Sequence, residues 1–284
     1  MKVLPFKIPK PENSTIVFQE DKEIYFYDKL HQHEEIQLTL IKEGKGTLIV
    51  GDSINYYVKD DILVIGSNIP HVFKSDIVEN SNSFMQSLFF SKDSFGTNFF
   101  ELEELKELKP FFKLSKHGFK IISSKKIISN LFSELKTSSK FRLFTTLLEL
   151  LKIASKANYK SLSSFIYEKK YTDVEGKRMQ DVFDFTMKQF QNDISLNTIA
   201  SVATMTKNAF CKYFKKRTNK TYFRFLNELR IEHACKLLVE EKDFSIADVA
   251  YKSGFKNISN FNRQFKTIKK VNPSDFKKVR KVHV

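Results

Sequence analysis

Three histidines and one amide in this chain could act together: His31-x-His33, Gln37 and, further on, His71. Imidazoles brought to one point by neighbouring strands hold a transition-metal ion or line a polar pocket. A metal use is favoured by a carboxylate in the set, and Gln37 is a neutral amide, a poor ligand beside a glutamate. Glu34 and Glu35 are close in sequence, but strand alternation turns successive side chains to opposite faces. The reading adopted is therefore a pocket with His31, His33, Gln37 and His71 in its wall, and no metal or other cofactor. A second set of residues suits nucleic acid. Phe210 and Phe214, and again Phe261 and Phe265, are spaced i,i+4, so each pair shares one face of a helix. With those faces inward, Asn208, Cys211 and Lys212 point outward from one helix, and Ser259, Asn262 and Arg263 from the other. Lys and Arg match the major-groove acceptors of guanine, and Asn the donor–acceptor pair of adenine. Lys215, Lys216, Lys256 and Lys266 lie near helix ends and suit phosphates. A basic tail, Lys277, Lys278, Arg280 and Lys281, follows. No other cluster of convergent acid, base or nucleophile is present, so an enzyme is not expected.

The outward-facing residues belong to a segment that occurs twice. Ser195-Leu196-x-x-Ile199-Ala200 is followed, ten residues after the alanine, by Phe210-x3-Phe214-Lys215. Ser245-Ile246-x-x-Val249-Ala250 is followed, eleven residues after the alanine, by Phe261-x3-Phe265-Lys266. Each copy reads as a short helix, a tight turn and a second helix. A long amphipathic helix, Tyr222 to Val239, joins the copies, and another, Lys177 to Gln191, precedes them. A separation near 34 Å would bring both copies to successive major-groove segments.

Charge follows the same division. Of the net +15, residues 178–284 hold +12 (22 Lys+Arg against 10 Asp+Glu), and the first 177 residues hold +3. A basic half joined to a near-neutral half indicates a polyanion-binding module attached to something else. No apolar run reaches the roughly 20 residues that span a bilayer, and Met1 to Phe6 lacks a signal-peptide core. A cytoplasmic protein without membrane contact is expected. Cys211 and Cys235 have no metal-site spacing and read as small half-buried helix residues.

The first half reads as short strands: Thr15–Phe18, Ile24–Tyr27, Ile36–Ile41, Thr47–Val50, Tyr56–Val58, Ile62–Ile65 and Phe84–Phe90. Turn residues separate them, as in a sandwich or barrel. The period then becomes helical, with apolar stripes at Ile127 to Leu135 and Phe141 to Leu151 that are broad for a helix facing one core. The predicted class is α+β. It comprises a barrel over 1–92, a helical packing and dimerisation segment over 93–160, a linker over 161–177, and an all-α domain over 178–284.

The run Arg230-Ile-x-x-Ala234-x-x-Leu237-Leu238, the second repeat with Gly254-Phe255, then Phe261-x-Arg263-x-Phe265-Lys266 and Asn272-Pro273-Ser274-x-Phe276, closely resembles the AraC/XylS class of bacterial transcription regulators. The match covers about Gln180 to Arg280. The resemblance implies a seven-helix domain with two helix-turn-helix units. Two departures stand out. Asn219 and Lys270 occupy positions where the class usually has glycine, and the first turn, Ser201 to Thr206, lacks its glycine. A left-handed backbone suits Asn but not Lys, so strain is predicted at Lys270. His31-x-His33, Gly44, Gly46 and Asn68-Ile69-Pro70-His71 likewise resemble the small β-barrel called a cupin, whose metal-binding members carry a carboxylate where Gln37 stands.

The resemblance implies a DNA-binding regulator controlled by a small-molecule effector in the barrel. Its implied partners are double-stranded DNA, the effector, a second copy of the chain and RNA polymerase. Two other readings stay open: a cupin metalloenzyme fused to a DNA-binding domain, and a ligand-independent DNA-binding protein.

Overall fold

The computed structural model describes residues 14–76, 82–166, 173–241 and 243–281. The chain divides into two compact units, Met1–Lys177 and Arg178–Val284.

In the first unit, β1 (Val17–Glu23), β2 (Ile36–Glu43), β5 (Ile62–Ile65) and β7 (Ser83–Phe90) build a larger antiparallel sheet. The strands β3 (Gly46–Val50), β4 (Ser53–Tyr57) and β6 (His71–Ser75) build a smaller one. Residue alternation assigns each face of the larger sheet a different neighbour. Leu38, Leu40, Ile62, Val64, Leu88 and Phe90 share a core with α1 (Lys109–Ser115), α2 (Lys125–Glu134) and α3 (Lys140–Lys156) through Phe111, Ile128, Phe132, Leu147 and Leu151. Ile41, Leu63, Ile65 and Met85 instead meet Leu48, Val50, Tyr57 and Phe73 of the smaller sheet. Each fully buried side chain of this size stabilises the fold by roughly 1.5–3 kcal/mol relative to exposure. The result is three layers, helices on sheet on sheet, and it leaves Gln37, Thr39 and Ser87 facing the space between the sheets.

Four local readings change. Ile24–Tyr27, predicted as a strand, is irregular: the Phe26 amide donates to Ser75 Oγ at 3.1 Å, while Ile24, Tyr25 and Tyr27 are exposed. The strand β6, not anticipated, pairs with β3. The predicted helical segment also contains β8 (Phe119–Ile121) and β9 (Tyr159–Ser161), which extend the larger sheet beyond β5. The first part of the predicted linker is packed. Leu162 is buried, its amide donates to Gly118 O at 3.0 Å, and the Ser163 hydroxyl and Ser164 amide donate to Asp52 Oδ1 at 2.8 and 2.9 Å. Residues 167–172 of that linker lie outside the described residues.

The second unit is helical: α4 (Asp173–Gln189), α5 (Leu196–Val202), α6 (Lys207–Thr218), α7 (Tyr222–Glu240), α8 (Ile246–Lys252), α9 (Ile258–Lys269) and α10 (Pro273–Lys281). Side-chain oxygens cap the helix starts: Ser195 accepts from the Thr198 amide, Thr206 from Ala209, Thr221 from Arg224, Ser245 from Asp248 and Asn257 from Asn260. Such caps satisfy backbone donors that no carbonyl of the first turn reaches. The helix α7 serves both repeats. Its first half buries Tyr222, Phe225, Leu226 and Leu229, with Phe225 against Phe183 and Phe214. Its second half buries Ile231, Ala234, Cys235 and Leu238 in a core with Val249, Phe255, Phe261 and Phe265. Arg230 ties α4 into this unit, donating from Nε to Phe190 O at 2.7 Å and from Nη2 to Asn192 O at 2.8 Å.

Candidate functional site

The two copies of the repeat fold alike bond by bond. In the first turn the amides of Ala203, Thr204 and Met205 donate to the carbonyls of Ile199, Ser201 and Ala200; in the second, Ser253, Gly254 and Phe255 donate to Val249, Tyr251 and Ala250. All are offset by fifty residues. The second turn then holds one residue more, so the later equivalences are offset by fifty-one: the caps Thr206 and Asn257, Phe210 and Phe261, Phe214 and Phe265. All four phenylalanines are fully buried.

Their burial fixes what the helices α6 and α9 show to solvent. Asn208, Cys211, Lys212, Lys215 and Lys216 are exposed on α6; Ser259, Asn262, Arg263 and Lys266 are exposed on α9. Paired at the same offset, Asn208 stands with Ser259, Cys211 with Asn262, Lys212 with Arg263 and Lys215 with Lys266. Each stripe thus carries short polar groups near the helix start, a long cation in the middle and lysine toward the end. A row of hydrogen-bonding groups followed by cations is suited to base edges flanked by phosphates. Arg263 is steadied by its bond to Asn260 Oδ1 at 3.0 Å. Lys256 precedes α9 and is paired with Asp193 at 2.6 Å, both largely exposed, so it shares its charge with a carboxylate. Sequence reasoning missed that pairing, because the partners are sixty-three residues apart. It also missed Tyr213, which is buried on α6 and stacked beneath the Arg217 guanidinium at 4.5 Å.

The first unit holds a cavity of about 430 Å³ between its sheets. Its wall includes His31, His33 and Gln37, as the sequence suggested, together with the rings of Phe26, Tyr27 and Phe89. His71 is not in that wall. Reciprocal backbone bonds with His31, 3.0 and 2.8 Å long, draw it inward, and its ring lies behind the other two, with centroids 4.2 Å from His31 and 5.0 Å from His33. The amide of Asn68 also donates to His33 O at 2.8 Å, so the 31–33 segment is clamped to the turn before β6. Burial lowers the His31 pKa to about 4 and holds that of His71 well below the usual imidazole value, with repulsion from the neighbouring imidazoles adding to it. Gln37 donates from its amide nitrogen to Thr39 Oγ1 at 2.8 Å and faces His33 Nε2 with its oxygen at 3.3 Å.

Sequence reasoning did not find the acidic side of the cavity, formed by Asp21, Glu23 and Asp28. Burial raises the Asp21 pKa. At Asp28 burial also opposes ionisation, but the ammonium of Lys74 at 2.9 Å outweighs it and lowers the pKa.

The comparisons with known proteins bear on the second unit most. A family model described as a helix-turn-helix domain matches residues 199–279. An uncharacterized HTH-type transcriptional regulator of Bacillus subtilis, YdeC, is 26% identical over 106 residues, 37% of this chain and 36% of that protein. Another, from Pseudoalteromonas carrageenovora, is 32% identical over 100 residues, 35% of this chain and 58% of that protein. The chain therefore spans less than two thirds of these relatives. An Escherichia coli relative, YdiP, also an uncharacterized HTH-type transcriptional regulator, is 23% identical over 282 residues, covering 94% of this chain and 86% of its own length. Among solved structures, ToxT of Vibrio cholerae is matched over 93% of this chain at 16% identity and a TM-score of 0.37. With two helix-turn-helix units on one shared helix, and with that family model and those relatives matched across them, the C-terminal unit of this chain is a helix-turn-helix domain similar to those of HTH-type transcriptional regulators.

Proposed function

We propose that the protein is a sequence-specific, double-stranded-DNA-binding transcription regulator with two reading helices, α6 and α9, controlled by a small molecule in the barrel of its first unit. One observation carries the reading: the buried phenylalanine pairs present two equivalent exposed stripes, Asn208–Lys215 and Ser259–Lys266, from one compact helical unit. The helix α7 between them has 19 residues and so is about 28 Å long, of the order of one turn of duplex DNA. Lys212, Asn208, Arg263 and Asn262 read base edges, Cys211 and Ser259 lie beside them, and Lys215, Lys216, Lys256 and Lys266 hold phosphates.

The cavity lined by His31, His33 and Gln37, with His71 behind, is the effector site. Its aromatic rings, with a few carboxylates and imidazoles, suit a small molecule that has both apolar and polar parts. Ile127 and Phe141, 55% and 75% exposed on the helices that cover the larger sheet, support pairing with a second copy there.

Capture of genomic fragments by the purified protein, sequenced at moderate salt, tests the reading. A recurring motif of two half-sites about one helical turn apart is expected. Binding without sequence preference, fading steeply with salt, would leave only a phosphate-binding surface.

A further inference from the structure

The face of the larger sheet that looks onto the smaller one changes character from strand to strand. On β2 and β5 it carries Ile41, Leu63 and Ile65, buried in the core between the sheets. On the edge strand β1 the same face carries Gln19, Asp21 and Glu23. The ladder sets Gln19 opposite Ser87, Asp21 opposite Met85 and Glu23 opposite Ser83, and residues opposite each other share a face. Three successive inward positions are thus polar where packing alone would take apolar side chains. All three line the cavity.

The wall is rich in acceptors and poor in cations. Among the described residues that border the cavity there are three carboxylates, Asp21, Glu23 and Asp28, and neither lysine nor arginine. Asp28 is paired with Lys74 at 2.9 Å. Asp21 instead has the Gln19 amide, donating at 2.6 Å, and the like charge of Glu23. Like charges partly withdrawn from water oppose their own ionisation, and a cation beside them relieves it. A second acceptor stands apart from these acids. Gln37 is 5% exposed and donates its amide hydrogens to Thr39 Oγ1 at 2.8 Å and Ser87 Oγ at 3.4 Å. Its Oε1 faces His33 Nε2 at 3.3 Å. The Nδ1 of His33 is 2.9 Å from Glu35 O. A carbonyl only accepts, so the hydrogen of the neutral ring is on Nδ1, and Nε2 is an acceptor. Gln37 Oε1 is therefore a buried acceptor in the wall that this ring does not satisfy, and such a group gains from a ligand that donates. The remaining wall is largely aromatic, with Phe26, Phe73 and Phe89 buried and Tyr25 and Tyr27 exposed. The negative faces of such rings attract organic cations.

We infer that the cavity binds a small organic cation: an ammonium group that donates to Asp21 and Glu23, an apolar body against Phe26, Phe73 and Phe89, and a further N–H or O–H that reaches Gln37 Oε1. An ammonium has donors only, the complement of this wall. An anion would meet the carboxylates, and a wholly apolar molecule would leave them and Gln37 Oε1 without donors. The volume, about 430 Å³, is in the range of small-molecule sites. The inference deepens the sensory reading and rests on it for the cavity being where the effector binds.

The test is calorimetric titration of the full chain, without DNA, with two matched sets of probes. One is phenethylamine, phenethyl alcohol and phenylacetate; the other is tyramine, tyrosol and hydroxyphenylacetate, which add an O–H. The amines are expected to bind at about millimolar affinity or tighter, and each alcohol and acid about tenfold more weakly or worse. Asp21→Asn and Glu23→Gln should each weaken amine binding by about tenfold and leave the alcohols unchanged. Neither side chain is in the core, and melting curves without probe confirm that the variants fold. Absence of amine binding, amines that bind no tighter than their alcohols or acids, or amine binding that neither variant weakens would overturn the inference. Binding of the alcohols or acids in place of the amines would remove the cation and keep the effector site. Selection of DNA sequences is measured separately, so failure here and failure of the regulator reading are distinguishable.

Discussion

Thr204, Asn219 and Lys270 hold left-handed backbone, with φ of 54°, 53° and 64°. Thr204 is the counterpart of Gly254, which takes φ 88° at the same place in the second turn. A β-branched residue is the least suited to that conformation. The strain at Lys270 was legible in the sequence; the strain at Thr204 was legible only as a missing glycine, because the position of the left-handed residue within Ser201 to Thr206 depends on the turn's hydrogen bonds. Thr204→Gly and Lys270→Gly should each stabilise the second unit by about 1 kcal/mol, read from urea unfolding; unchanged or lower stability would contradict the strain. The reverse change is costly. A Cβ at Gly254 would come within 2.8 Å of Phe190 O and 2.9 Å of Arg230 Nε, so Gly254→Ala should destabilise by about 1–3 kcal/mol and loosen the anchorage of α4.

At the scale of elements, the start of α8 is a capping box. Ser245 Oγ accepts from the Asp248 amide at 3.1 Å, and the Asp248 carboxylate accepts from the Ser245 amide at 2.9 Å. The Ser245 hydroxyl also donates to the Asp248 carboxylate, at 2.6 Å, and this bond first and the one from the Ser245 amide second lower the Asp248 pKa. A depressed folded value means the contribution is complete above the unfolded carboxylate value, about 4, and fades as pH falls through the folded value. Asp248→Asn should melt earlier than wild type at pH 6, by a gap that narrows toward pH 3; a gap independent of pH would contradict the assignment. The reading helices make a different prediction. Lys215→Ala and Lys266→Ala should each reduce the slope of log affinity against log salt by about one, whatever the DNA sequence. Asp193→Asn, which releases Lys256, should raise affinity for any duplex at low salt. The helices and their inward phenylalanines were legible because a period of 3.6 recurs twice. β8 and β9 were not, since three-residue strands are defined by the sheet edge they join rather than by their own pattern.

The whole molecule joins a basic helical unit with two helix-turn-helix motifs to a two-sheet unit that holds a cavity. The division was legible in charge, +12 against +3, and in the change from strand to helix periodicity. His31, His33 and Gln37 were legible as cavity residues from their spacing. The inward position of His71 was not, because it depends on a backbone bridge between residues forty apart. The acidic residues of the cavity were hidden because Asp21 and Glu23 lie where β1 runs on past the predicted strand Thr15–Phe18, and Asp28 follows the predicted strand Ile24–Tyr27 that the structure leaves irregular. The central claim is that α6 and α9 each read their own half-site. It is tested most directly by selecting bound sequences from a random duplex pool with the wild type, Lys212→Ala and Arg263→Ala. The expected result is a two-part motif about one helical turn across, from which each variant loses preference at one part only, by about 1–3 kcal/mol of discrimination. A wild type without a motif, or two variants that flatten the same positions, would contradict it.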